Sequence, residues 1–203
     1  LEYVDSFNHH RPDPETPLEE TCLALKRIVD SGKALYIGIS NYFSEGMRAA
    51  VNLLTELRVP VVLDQVRYSM LDRRIETDGL LAAAKEAGVG LTIYSPLEQG
   101  LLTDRYAQGI PEDSRMGRGA FLKKSALGEN TAKKIAALRE IAARRGQTLA
   151  QMALSWVIKE DVISSVIIGA SRSSQITENL SLDTRFSAEE LSRIDKICLD
   201  AAE

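Results

Sequence analysis

Five short runs rich in Val, Ile and Tyr, each followed by a turn and an amphipathic segment, constrain this chain more than any other feature. They fall at residues 3–8, 36–40, 61–66, 89–95 and 163–169. Several are apolar almost throughout, which suits parallel strands covered on both faces. The segments between them read as helices. Thr16-Pro17-Leu18-Glu19 offers a capping hydroxyl, a proline at the first helical position and a carboxylate three residues after the cap. Leu18, Cys22, Leu25 and Val29 follow at helical spacing, with Gly32 as the exit. Ser44 opens a second helix with Met47, Ala50, Val51 and Leu54 on one face, ended by Val59-Pro60. A third spans residues 77–87 and stops at Gly88. Ile135, Leu138 and Ile141 mark a fourth, and Thr148 with Gln151 caps a fifth that carries Met152 and Trp156. A short helix follows over 173–180, and Ser187 with Glu190 caps the last.

Strand–helix alternation of this kind implies right-handed βαβ units, so the class is α/β. An open doubly wound sheet and a TIM (β/α)8 barrel both remain. No Gly-x-Gly-x-x-Gly follows a strand, which removes the usual dinucleotide fingerprint of the open fold. The polar residues gather at strand C-terminal ends instead: His10, Ser40-Asn41, Gln65, Tyr94-Ser95 and Gly169-Ala170-Ser171. A barrel concentrates its chemistry at that rim. Eight strands close such a barrel, and five are visible here, the first already under way at Leu1-Glu2-Tyr3-Val4. The expectation is a C-terminal portion of a barrel, about five βα units, forming one partial domain over 1–203 with a long loop at 97–130.

Composition narrows the partners. With 25 Lys+Arg against 29 Asp+Glu the net charge is −4, so no basic face is expected and nucleic acid is not a partner. No apolar run approaches the roughly 18 residues of a membrane-spanning helix. Cys22 and Cys198 lie far apart and near no His/Cys cluster, so neither a disulfide framework nor a metal site is expected, and a cytoplasmic location follows.

The rim segments resemble the aldo-keto reductases. The run from Leu1 to His10 is similar to that family's fourth strand, which ends in the active-site histidine. Gly38-Ile39-Ser40-Asn41 resembles the element that holds the nicotinamide amide, and Asp64-Gln65-Val66-Arg67-Tyr68 the strand whose Gln contacts the same amide. Tyr94-Ser95-Pro96-Leu97-Glu98-Gln99-Gly100 is similar to the loop that stacks on nicotinamide and wraps the pyrophosphate. Ile168-Gly169-Ala170-Ser171-Arg172, with Gln175, Glu178 and Asn179, resembles the adenosine 2′-phosphate site. Three segments, Tyr36–Ser40, Ile110–Met116 and Gln151–Trp156, resemble a branch of small-aldehyde reductases close to the potassium channel β subunits.

The resemblance implies strands 4 to 8 of the barrel, NADP(H) as cofactor, and reduction of a small aldehyde or ketone such as glyceraldehyde 3-phosphate or methylglyoxal. It also implies a homo-oligomer, a tetramer or larger. Of the family's Asp, Tyr, Lys and His tetrad, only the histidine matches a position here, so the chain by itself is expected not to turn over substrate. Two alternatives stand beside this: a cofactor-binding regulatory subunit of the channel β type, and an inactive barrel fragment.

The residues themselves bear on the roles. Strand alternation puts Ser6, Asn8 and His10 on one face and Tyr3, Phe7 and His9 on the other, so the two histidines cannot enter one site. Tyr3 and Phe7 suit the helix-facing side, which leaves His10 at the barrel mouth to orient and polarise a carbonyl. Taken alone, a His-His pair reads as two exposed loop histidines. Asn41 and Gln65 carry amides able to fix a carboxamide, with Ser40 alongside, although Ser-Asn also starts turns. Tyr94 offers a planar face or a core residue. Ser171 and Arg172 supply donors for a 2′-phosphate ahead of a helix N-terminus. Arg105 and Arg115, in the long loop, could close over the cofactor phosphates.

Overall fold

A computed structural model describes residues 2–104 and 128–199 of the protein. They form two compact units, one within Leu1–Tyr68, Arg73–Tyr94 and Asp161–Val166, the other within Ser69–Asp72, Ser95–Glu160 and Ile167–Glu203.

The first unit is built on β1 (Val4–His9), β2 (Ala34–Ser40), β3 (Val61–Arg67), β4 (Gly90–Tyr94) and β5 (Ile163–Val166). All neighbours are parallel and the order is sequential, β1-β2-β3-β4-β5. A doubly wound sheet reverses its order at a switch point, whereas a sheet that only advances is an arc of a (β/α)8 barrel. Helix α1 (Leu18–Asp30) packs on β2, α2 (Ser44–Glu56) on β3, and α4 (Leu80–Ala87) on β4. Their apolar stripes supply Cys22, Leu25, Met47, Ala50, Leu54, Leu80, Ala83 and Ala84 to a core completed by Ile37, Ile39, Val66, Leu91 and Ile93.

Register fixes which residues share a face. His9, Ile39, Asp64, Leu91 and Ile163 lie in one row, on the side of the buried strand residues. Asn8, Gly38, Leu63 and Gly90 form a row on the other side, and Ser40, Gln65 and Thr92 another. Gly38 is required there, because a Cβ would stand 2.1 Å from the Asn8 side-chain oxygen. Phe7 pairs in register with the buried Ile37 but is exposed, as is Tyr3; among the described residues β1 has β2 as its one neighbouring strand.

Local patterns hold where short-range chemistry is uncontested and shift where it is not. The Thr16 hydroxyl donates to Asp13 (2.8 Å) within an Asp13–Thr16 turn, so Pro17 becomes the N-cap of α1 and no side chain caps the helix. The 77–87 helix is instead α3 (Arg74–Thr77) and α4, parted by Gly79 at φ 82°. The break frees Asp78, whose carboxylate accepts from the Ser44 amide (2.6 Å) and whose carbonyl accepts from the Ser44 hydroxyl (2.8 Å). Helix α2 is thus capped from 34 residues away. Strand β5 stops three residues short of Gly169, at Val166.

The second unit contains α5 (Glu129–Arg144), α6 (Leu149–Ile158), α7 (Ser173–Asn179) and α8 (Ala188–Leu199). Thr148 and Gln151 form the expected reciprocal capping box at α6, and Ser187 and Glu190 exchange the same bonds before α8. Helix α6 is buried on nearly every side, with Trp156 fully covered. Only the ends of the 97–130 loop are described, beginning with a 3-10 turn at Glu98–Gly100. None of the described helices is long and apolar enough to cross a membrane.

Candidate functional site

In the first unit, one hydrogen-bonded cluster joins the ends of β1, β2, β3 and β4. Its centre is Asn41, held in the left-handed region at φ 60°, which asparagine tolerates better than most residues. The Asn41 Nδ2 group donates to the His10 carbonyl (3.0 Å) and to Ser40 Oγ (3.0 Å). Its Oδ1 accepts from the Tyr94 hydroxyl (2.8 Å). The Ser40 hydroxyl and the Asn41 backbone amide both donate to the Gln65 carbonyl, at 2.7 and 3.0 Å. Five residues expected at the rim, His10, Ser40, Asn41, Gln65 and Tyr94, are therefore brought together. The His10 side chain is exposed just past β1, while His9 is half-buried and bonded through Nδ1 to the Tyr42 hydroxyl (2.9 Å). The two histidines thus differ in burial and in partner.

The second unit carries the other expected residues in two groups. Around Ser95, Pro96, Leu97, Gln99 and Gly100 the backbone turns tightly, with Ser95, Glu98 and Gln99 all at positive φ. Four backbone bonds close the turn: Glu98 to Ser95, Gly100 and Leu102 to Leu97, and Leu101 to Glu98. Gln99 Oε1 is buried without a hydrogen-bond partner among the described residues. In the segment Gly169–Asn179, Gln175 Oε1 accepts from the Ser171 amide (2.8 Å), the Ser171 hydroxyl (3.2 Å) and the Arg172 amide (3.3 Å). Those two amides are thus already occupied, and the side chain of Arg172 is the donor that remains exposed. Glu178 is exposed and Asn179 half-buried. Arg105 and Arg115 lie outside the described residues.

The model of the aldo/keto reductase family matches residues 1–198. The chain belongs to the aldo/keto reductase family. It is 46% identical to L-glyceraldehyde 3-phosphate reductase of Escherichia coli K12 over 206 residues, covering 98% of this chain and 60% of that protein. It is 38% identical to a probable voltage-gated potassium channel subunit beta of Arabidopsis thaliana, covering 89% of this chain and 56% of that one. The thermostable aldo-keto reductase Tm1743, crystallised with the inhibitor epalrestat, superposes with a TM-score of 0.70 at 31% identity, over 97% of this chain and 60% of that chain. The chain thus spans about three fifths of the length of the first of these relatives, in agreement with a five-stranded part of the family's barrel.

Three buried polar residues had no role read for them in the sequence: Tyr42 and Asp64 in the first unit and Glu98 in the second. Tyr42 is buried, and that burial, with Cys22 and Asp64 nearby, pushes its hydroxyl up to about 12. Asp64 is fully buried, neither carboxylate oxygen has a hydrogen-bond partner among the described residues, and desolvation raises it to about 7, opposed by the nearby Tyr42 amide. Glu98, also buried, accepts from the Ser69 hydroxyl (2.8 Å), and the same oxygen of Ser69 accepts from the Leu71 and Asp72 amides. One signal was present in the sequence: Asp64 is the single ionisable residue inside the run 61–66. Among the described residues no group of three His, Cys, Asp or Glu is placed to hold a metal ion.

Proposed function

We propose that this chain carries the cofactor-binding part of an NADP(H)-dependent reductase of small aldehydes or ketones, of the glyceraldehyde 3-phosphate or methylglyoxal kind. The observation that carries the reading is the cluster at the strand ends, in which one asparagine ties His10, Ser40 and Tyr94 together beside Gln65.

The donor sets fit a nicotinamide dinucleotide. The side-chain amide of Gln65 makes no hydrogen bond among the described residues, so it keeps both a donor and an acceptor for a carboxamide. Asn41 has spent both amide protons within the protein and keeps an acceptor lone pair. Its contribution is to lock the rim and accept one further bond. Tyr94, with its hydroxyl tied to Asn41, has its ring orientation set for stacking. Ser95, Pro96, Leu97, Gln99 and Gly100 form a preset turn for the pyrophosphate. Ser171 and Arg172, backed by Gln175, Glu178 and Asn179, would take the adenosine 2′-phosphate, with Arg105 and Arg115 closing over the phosphates.

When bound, the reduced cofactor supplies the hydride. His10, exposed and anchored through its own carbonyl, orients the substrate carbonyl and hydrogen-bonds its oxygen as negative charge builds. The protein is read as a cytoplasmic homo-oligomer. A second reading, a cofactor-binding regulatory subunit, draws on the 38% identity to the Arabidopsis channel β relative and shares the same cofactor residues.

Fluorescence titration of the chain with NADPH and NADH tests the reading. The wild type is expected to prefer NADPH, and Arg172→Ala to shrink that preference about tenfold, since a guanidinium–phosphate contact is lost. Equal weakening of both cofactors would overturn the assignment of Arg172.

A further inference from the structure

Two adjacent residues just past β2 reach back to the end of β1. Asn41, turned by its left-handed backbone, bonds the His10 carbonyl. Tyr42, the next residue, lies in the core and bonds His9 Nδ1 at 2.9 Å, with the two rings 5.9 Å apart. The strand ends between these two attachments.

We propose that Tyr42 and His9 are positioning residues for His10, clamping the end of β1 through the His9 ring while Asn41 holds the His10 carbonyl. The proposal rests on the reading of His10 as the residue that orients substrate. β1 ends at His9, so His10 lies beyond the ladder bonds and its position rests on these side-chain anchors. Tyr42 keeps its proton above neutral pH, and burial together with the nearby His10 lowers His9, which favours the neutral imidazole; we assign the bond as Tyr42 donating to Nδ1, with the ring proton on Nε2.

The chain has two histidines, so both rings can be followed individually by NMR. In the wild type the His9 ring should report the Nε2–H tautomer, and the His10 backbone an order parameter near the rigid value of about 0.85. Tyr42→Phe removes one oxygen and keeps the ring. It is expected to drop the His10 order parameter towards roughly 0.6 and leave NADPH affinity unchanged. In the form of the protein that turns over aldehyde, kcat should fall about tenfold or more. His9→Leu should reproduce both effects. An unchanged His10 order parameter in both variants would overturn the clamp. If His10→Ala leaves turnover intact, the reading of His10 itself fails, and the catalytic meaning of the clamp with it.

Discussion

Asp64→Asn is expected to flatten the fall in folding stability that the wild type shows between about pH 4 and pH 7, a difference of up to about 4 kcal/mol. The Asp64 carboxyl is fully buried in β3, in the same row as Ile39 and Leu91, with neither oxygen bonded among the described residues. Its folded value is pushed up to about 7 by desolvation, against 3.8 in an exposed chain. The folded protein therefore holds a proton that the unfolded chain releases from about pH 4 upward. Stability from this group is complete at low pH and is lost as pH rises through about 7, at 1.36 kcal/mol per pH step. Asparagine fills nearly the same volume, also lacks partners and cannot ionise. Both variants share every other titrating group, including His9 and Tyr42, so the difference between their pH profiles isolates Asp64. Urea denaturation at intervals from pH 4 to pH 8.5 measures it, and parallel profiles would contradict the assignment.

Arg145→Ala is expected to destabilise the second unit by about 3 kcal/mol. The Arg145 side chain is 7% exposed and bonds five partners' worth of structure around it. Nη1 pairs with Glu190 (2.8 Å) and reaches the Arg185 carbonyl (3.1 Å), Nη2 takes the Asp183 carbonyl (2.9 Å), and Nε bonds Gln147 (2.8 Å). The guanidinium also stacks on Phe186, 3.8 Å from the ring centre. Truncation strands two backbone carbonyls and a carboxylate at once. Glu190 is 29% exposed and recovers some hydration, which keeps the cost below that of a fully buried pair. Lysine at 145 restores the charge but not the planar fork, so it should recover less than half the loss. Chemical denaturation followed by Trp156 fluorescence reads the result. A loss under about 1 kcal/mol would mean that these bonds are replaced by water at little cost.

The class of the fold and the rim residues were legible because both depend on near neighbours in the chain. Period-two and period-3.6 patterns located the five described strands and most of the helical segments; alternation left two folds open, and the polar strand ends without a Gly-x-Gly-x-x-Gly pointed to the barrel and its sequential order. The parity argument expected His9 and His10 to part, and they differ in burial and bonding: His9 is half-buried against Tyr42, and His10 is exposed. Where a second partner competed, local reading failed: Asp13 claimed the Thr16 hydroxyl, and Gly79 divided a helix so that Asp78 could cap α2 instead.

What the chain by itself determined was the βα rhythm, the family likeness and the residue types at each strand end, since these follow from backbone sterics and apolar spacing. Only tertiary structure decided that Asn41 would spend its amide protons on His10 and Ser40, that Gln65 would keep its own, and that Asp64 would lie dry. Each of those outcomes is a choice among partners distant along the chain, such as Asn41 and Tyr94 at 53 residues apart, and hydrogen-bonding chemistry leaves that choice open until packing brings one candidate within 3 Å.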